Sequence, residues 1–233
     1  DVAVGMIVEE LKKQAVEGKT VVIYTSDNGF LCGSHGYGSK VLPYEESTRV
    51  PLIISDPRQK GTAGKTSNAL SGNVDIAPTI LELAGVAIPE GLDGKSLVPV
   101  LSEPQKEVRE ELALMNMWGP VATHYLSIVS SKWKYTFWPY EEDEMKASEE
   151  LLDMQGDPFE LKNHASSSEH AKTIEAMRAE YDQRVKHIKE NVVPYNGYAH
   201  YGTFFDRHID AKEKLGATGK KSRDKQGKKK KKK

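Results

Sequence analysis

The sequence holds a single cysteine, Cys32, in 233 residues. One thiol excludes an intramolecular disulfide and a cysteine-based zinc cluster. No run of 18 apolar residues occurs, which excludes a helical membrane span. No secretory signal is visible. The chain begins at Asp1 rather than Met, and its first residues read as the middle of a helix, so an N-terminal segment is expected to be missing. His124, His164, His170, His187, His200 and His208 are scattered, and none stands at a metal-ligand spacing from another. No basic face, aromatic ladder or nucleic-acid motif is present, so no nucleic-acid partner is expected.

What is present suffices for a packed core. Hydrophobic residues make up 38% and charged residues 29% of the chain, unlike a wholly disordered polymer. The formal charge of −1 hides an asymmetry. Residues 216–233 carry ten Lys or Arg against Asp224, a net of +9, which leaves −10 on residues 1–215. The basic tail reads as solvated and disordered, with a polyanion as its alternative partner.

Val4, Ile7, Val8 and Leu11 follow the i, i+3, i+4, i+7 spacing of a helix over residues 1–17, with Gly18 as its stop. Residues 20–25, TVVIYT, form a nearly continuous apolar run, as in a strand buried on both faces of a parallel sheet. A Gly-rich loop follows over 29–49, then a second apolar strand over 50–55 with Pro51 at its beginning. Asp75 opens a helix that Gly85 stops. This order gives an α/β pattern. Residues 111–117, 124–130 and 132–138 are β-rich, with Ser130-Ser131 as a hairpin turn. Asp157-Pro158-Phe159-Glu160 marks a further turn. Ile174, Met177, Tyr181, Val185 and Ile188 form one stripe of a charged helix over 168–190. Trp118, Trp133 and Trp138 are expected in the core of the small sheet. The aromatic stretch Tyr195 to Phe205, with His200 inside it and His208 just beyond it, is expected to pack on the body, or else to line a sugar pocket.

The stretch from Ser26 to Lys40 carries the chemistry. Ligands in open α/β sheets sit beyond the carboxyl ends of strands, and Asp27 and Asn28 stand at such a place. A carboxylate beside an amide carbonyl offers hard oxygen ligands, suited to Ca²⁺ or Mg²⁺ rather than zinc. His35 and Lys40 add two cationic donors. A divalent ion with a lysine would serve a tetrahedral oxyanion, sulfate or phosphate. Asp-Asn-Gly is also a common turn, so this reading alone leaves a plain loop open.

Residues 20–54, TVVIYTSDNGFLCGSHGYGSKVLPYEESTRVPLII, closely resemble a conserved block of the type I sulfatases, members of the alkaline-phosphatase-like superfamily. The family's next block appears as Val74 to Gly85 and Pro89 to Leu97. A weaker likeness joins Lys132-Trp133-Lys134-Tyr135 to Glu150-Leu151-Leu152-Asp153 and Asp157-Pro158-Phe159-Glu160 with Asn163. The resemblance covers roughly residues 1–165.

The resemblance implies an α/β fold: the C-terminal part of an alkaline-phosphatase-like sheet sandwiched by helices (residues 1–105), then a small α+β subdomain with a short antiparallel sheet (106–215) and the basic tail (216–233). It implies hydrolysis of a sulfate ester, of a sulfated small molecule or polysaccharide. Asp27 and Asn28 match calcium ligands, with Mg²⁺ less favoured. Lys40 matches the lysine that contacts sulfate, and His35 a histidine near the site. Glu45, Glu46 and Arg49 match a stretch read as ion pairing or loop closure. The family's nucleophile is a formylglycine made from Cys or Ser in C-x-P-x-R. No such motif occurs here, and Cys32 does not fit it. Phosphate-ester hydrolysis and a non-catalytic sulfated-glycan-binding module are the rival readings. Family likeness also implies an exported or lysosome-like location.

Overall fold

The apolar spacing at the N-terminus does produce a helix. In the computed structural model, which describes residues 1–141, 145–193 and 198–217, α1 spans Val2–Lys13. It ends short of Gly18. Ala15 takes a φ of 52°, and the Ala15 and Val16 amides donate to the Lys12 and Leu11 carbonyls at 2.9 and 3.0 Å. Those paired bonds close a helix end without a glycine.

The two apolar runs form β1 (Val22–Thr25) and β2 (Leu52–Ser55), with Glu45–Thr48 between them as the single turn α2. The strands pair with each other antiparallel, Val22 opposite Ser55 and Thr25 opposite Leu52. This corrects the expectation of parallel, doubly buried strands. A parallel pair needs a crossover of a dozen or more residues, usually a helix. The intervening segment supplies only α2 as an α-helix. Tyr24 and Ile53 are exposed among the described residues. Helices α3 (Ile76–Leu83) and α4 (Val98–Ser102) follow, and α3 stops at Gly85 as expected, φ 70°.

The chain divides into two compact units. The first comprises Asp1–Lys40 and Glu45–Leu112; the second comprises Val41–Tyr44 and the residues from Ala113 onward. Strand β3 (Glu111–Asn116) straddles the division and opens a sheet with β4 (Tyr125–Ser130), β5 (Trp133–Trp138) and β6 (Ser148–Asp153), in the order β3-β4-β5-β6. The β4–β5 and β5–β6 pairs are antiparallel. Helix α5 (Ala171–Asn191) carries the expected stripe, and Ile174, Met177, Tyr181 and Val185 are buried with Leu126, Ile128, Tyr135, Phe137 and Leu151. Helices α6 (Ala199–Phe204) and α7 (Ala211–Ala217) complete the unit. Phe204 and Phe205 enter the same core, and the Tyr181 hydroxyl donates to the Phe205 carbonyl at 2.6 Å. The aromatic stretch therefore packs, as far as it is described; residues 195–197 lie outside the described residues, as does the basic tail from residue 218.

The tryptophans depart from expectation. Trp118 lies past the end of β3 and is 74% exposed. Trp133 only flanks the core. Strand alternation puts Trp138 on the face opposite Tyr135 and Phe137, where its indole N–H donates to Glu150 at 3.0 Å. The tyrosines and phenylalanines fill the centre instead.

Four carboxylates of the second unit are held below their ordinary pKa, Asp153 chiefly by the Gly156 amide and with it the Gln155 amide. Burial pushes Glu149 up, but the Arg178 guanidinium and the Tyr135 hydroxyl outweigh it. Burial is likewise outweighed at Asp182 by Arg207 and His208, and at Asp206 by Lys189 and the His208 amide. A depressed carboxylate stabilises the fold above its unfolded value, near 4. That stability is lost as pH falls from there through the lower folded value. The urea midpoint of this unit should thus be flat from pH 7 to about 5 and fall between about pH 4 and 2, with a smaller fall in Asp182→Asn. An acid-insensitive midpoint would contradict the pairing.

Candidate functional site

Asp27 and Asn28 follow the last pair of β1, Thr25 with Leu52, after the single residue Ser26. Asp27 is exposed; its Oδ1 accepts the Asn28 amide at 2.9 Å, and the Ser26 hydroxyl approaches at 3.5 Å. Ser26 also donates to the Asn28 carbonyl at 2.9 Å. These bonds make a rigid turn that presents a carboxylate and an amide together. The Asn28 Oδ1 accepts Lys40 Nζ at 2.9 Å, while its Nδ2 donates to the Gly29 carbonyl at 2.7 Å. The structure thus joins Asn28 and Lys40, twelve residues apart, in direct contact.

The intervening loop is pinned from within. The Gly29 amide donates to the Ser47 carbonyl at 2.8 Å, and a Cβ at Gly29 would strike the Glu46 carbonyl oxygen. Glycine is required there by close approach of backbone. The Leu31 amide bonds the Ser39 carbonyl and the Gly33 amide bonds the Tyr37 carbonyl, each at 2.8 Å, with Leu31 itself buried. His35 sits in a left-handed turn, φ 54°. Its side chain is 11% exposed and its Nε2 lies 3.8 Å from Glu46 Oε2. Glu45 pairs with Arg49 at 3.7 Å, but Arg49 is largely exposed, so this pair adds little. Cys32 is an exposed loop thiol.

A second layer holds this turn from below, and it escaped the reading of the sequence. Asn73 Nδ2 donates to the Ser26 and Asp27 carbonyls at 3.0 and 2.9 Å. Asn73 is carried by a turn closed in both directions: the Asp75 amide to the Gly72 carbonyl, and the Gly72 amide to Asp75 Oδ2, each at 2.9 Å. Asp75 is fully buried. Its Oδ1 accepts the Lys95 amide at 2.7 Å, and both oxygens are gripped by the Arg109 guanidinium, itself 5% exposed. A Cβ at Gly94 would strike the Val74 carbonyl, so glycine permits the Lys95 amide to reach Asp75. Thr79 bonds the Asp75 carbonyl at 2.5 Å and receives the Leu97 amide at 2.9 Å. By sequence Asp75 is a helix start inside the block Val74 to Gly85, with no partner assigned to it, and Arg109 lies in no motif.

Among the described residues, no group of side chains that could hold a metal ion includes the other histidines. His164 and His170, six apart in sequence, do meet ring to ring at 4.6 Å beside Trp133 in the second unit.

The arrangement offers hard oxygens and an ammonium at a strand terminus. Residues 33–187 match the family described as N-sulphoglucosamine sulphohydrolase, C-terminal. The chain belongs to the type I sulfatases. It corresponds to their C-terminal portion. It is 34% identical over 197 residues to an N-acetylglucosamine-6-O-sulfatase of Bacteroides thetaiotaomicron, covering 82% of this chain and 34% of that protein. A solved structure of a protein with its substrate D-glucosamine-2-N,6-O-disulfate aligns at TM-score 0.71 and 32% identity, over 82% of this chain and 39% of that one. A phosphonate monoester hydrolase of Agrobacterium radiobacter aligns at TM-score 0.65 and 26% identity, over 78% and 38%. The sulfatase chain here therefore spans about a third of the length of the curated relative it matches, and its fold is the alkaline-phosphatase-like α/β fold of these neighbours.

Within this sulfatase portion, the Asp75–Arg109 pair should be the most sensitive point of the first unit. Arg109→Met strands a buried carboxylate and should cost about 3–5 kcal/mol by denaturant titration. Asp75→Asn with Arg109→Met should cost less than the single change, since no charge is left unpaired. A cost below about 1 kcal/mol for Arg109→Met would show that the pair does not hold the turn.

Proposed function

We propose that this chain supplies the cation- and sulfate-handling part of an enzyme that hydrolyses sulfate esters of carbohydrates. The observation that carries the reading is the contact of Lys40 Nζ with Asn28 Oδ1 beside the exposed carboxylate of Asp27, in a chain of the sulfatase family.

The donor set fits a hard cation. Asp27 offers a carboxylate whose only recorded hydrogen bonds among the described residues fall on Oδ1. The Asn28 carbonyl oxygen has two lone pairs, one of them already on a cation, the Lys40 ammonium. Calcium takes six to eight oxygens, so Asp27 and Asn28 would hold it together with ligands from outside these residues. When bound, the ion supplies positive charge against the sulfate oxygens. Lys40 offsets the negative charge that grows on those oxygens in the transition state. His35, kept in place by Glu46, adds a donor at the rim of the same loop. No C-x-P-x-R pattern lies in the 233 residues, so we assign the formylglycine nucleophile to a segment outside them.

The relatives support a sulfated amino sugar as substrate class, since those two proteins are described as acting on N-acetylglucosamine 6-sulfate and glucosamine disulfate. The phosphonate monoester hydrolase neighbour favours one second reading, a phosphorus ester at the same tetrahedral-oxyanion site.

A chimera tests both. This chain replaces the matching third of the Bacteroides N-acetylglucosamine-6-O-sulfatase. The chimera should release sulfate from N-acetylglucosamine 6-sulfate, and Lys40→Ala should lower kcat/KM by about 10²–10³-fold. Full activity in the Lys40→Ala chimera would refute the role of Lys40. Faster turnover of phosphonate monoesters than of sulfate esters would favour the second reading.

A further inference from the structure

We propose that a cleft in the second unit, where the end of β5 meets the start of β6, binds a sulfated saccharide, with the ammonium of Lys214 holding its sulfate group. The site is argued from residues of this unit alone. Only the choice of a sugar sulfate as ligand rests on the reading of the enzyme given above.

The cleft has a volume of about 500 Å³, within the range of small-molecule sites. Phe137 of β5, Glu149 of β6, Arg178 of α5 and Lys214 of α7 line it, with Arg207 and Asp210 from the segment between α6 and α7. Lys214 decides the chemistry. It is 4% exposed, and its Nζ lies 4.7 Å from the centroid of the Phe137 ring. A ring face attracts a cation but leaves its N–H bonds without oxygen acceptors. Among the described residues, no oxygen accepts a hydrogen bond from this ammonium; Asp206, Glu141 and Asp210 attract it only from beyond ion-pair distance. Burial therefore holds its pKa below the ordinary value. A buried ammonium with three donors and no acceptor is unfavourable, and an anion in the cleft removes that penalty.

The nearby acids are engaged elsewhere. Glu149 accepts the Tyr135 hydroxyl at 2.6 Å and the Arg178 guanidinium. Glu141 Oε1 lies 3.3 Å from Lys146 Nζ. Asp210 Oδ1 accepts the Lys212 and Glu213 amides at 2.9 and 3.0 Å.

Two guanidiniums stand in the same wall with donors to spare. Arg178 directs Nε and Nη2 at Glu149, and Arg207 directs the same two nitrogens at Asp182, at 2.8 and 2.9 Å. A guanidinium carries five N–H bonds, so both arginines keep those of Nη1, which make no hydrogen bond among the described residues. Three separate donor groups suit the three terminal oxygens of a sulfate ester; a carboxylate offers two. Glu141 and Asp210 each keep one carboxylate oxygen that accepts no hydrogen bond among the described residues, and those oxygens suit the hydroxyls of a sugar ring. A sulfated sugar uses both kinds of group at once.

The test follows the methyl resonances of Ala147 and Ala211, which line the cleft, in the full chain. The probe is N-acetylglucosamine 6-sulfate. We expect saturable shifts of both methyls, none with N-acetylglucosamine, and binding of inorganic sulfate at least about tenfold weaker. Lys214→Met fills the same space without a charge and should weaken binding by about 10–100-fold. Ala211→Glu leaves Lys214 in place but sets a carboxylate in the cleft, and it should abolish the Ala147 shift. The methyl resonances of Ile174 and Val185 report that each variant is folded. Lys40→Ala should leave the titration unchanged, so failure of the hydrolase reading is separate from failure here. Silent Ala147 and Ala211 methyls, or binding that is indifferent to Lys214→Met or to Ala211→Glu, would overturn the proposal. Equal affinity for inorganic sulfate or for N-acetylglucosamine would overturn the assignment of a sulfated sugar.

Discussion

The first unit depends on one buried carboxylate. Asp75 stands at the start of α3 with no water to share its charge, and it collects two backbone amides and both arms of the Arg109 guanidinium. One partner is local and two bring in distant pieces of chain. Gly72 closes the turn that presents Asn73, Lys95 arrives from beyond Gly94, and Arg109 arrives from the segment before β3. Asn73 then fastens the carbonyls of Ser26 and Asp27. The exposed chemistry at the end of β1 therefore rests on a dry electrostatic junction. Buried charges demand this completeness, because an unpaired one is far costlier than a paired one is helpful.

The local electrostatics of the site follow a different logic. Asp27 is exposed to water, and Asn28 already faces an ammonium. Contacts of this kind, exposed or half-buried, are individually weak. Their value lies in placement: Ser26, Gly29 and Asn73 leave the turn few ways to move. A carboxylate, an amide oxygen and a lysine arranged in advance can meet a cation and an anion with little reorganisation.

Much of this was legible from residue order. The period of α5, the strands of the small sheet, and the Ser26–Lys40 stretch are local signals, since one face or one turn decides each. What was not legible is what depends on distant partners. The apolar run of β1 encodes burial but carries no sign of pairing direction, and β1 meets β2 antiparallel. Trp118 looks like core by composition, yet it falls beyond a strand end. Arg109 and Asn73 sit in unremarkable sequence and acquire meaning only from Asp75 and the β1 terminus. Lys134 and Glu160 were visible as members of motifs, but the Lys134 ammonium bonding both Glu160 and the Pro43 carbonyl requires the fold.

Calcium titration by calorimetry of the chimera, which restores the ligands from outside these residues, with and without the Asp27 carboxylate, is the most direct test. The account predicts saturable one-site binding that is lost in Asp27→Ala. It also predicts tighter binding in Lys40→Ala, because the ammonium that shares the Asn28 oxygen is then gone. Calcium binding that is the same in Asp27→Ala as in the unaltered chimera, or absent from both, would contradict the assignment of this strand end as the cation site.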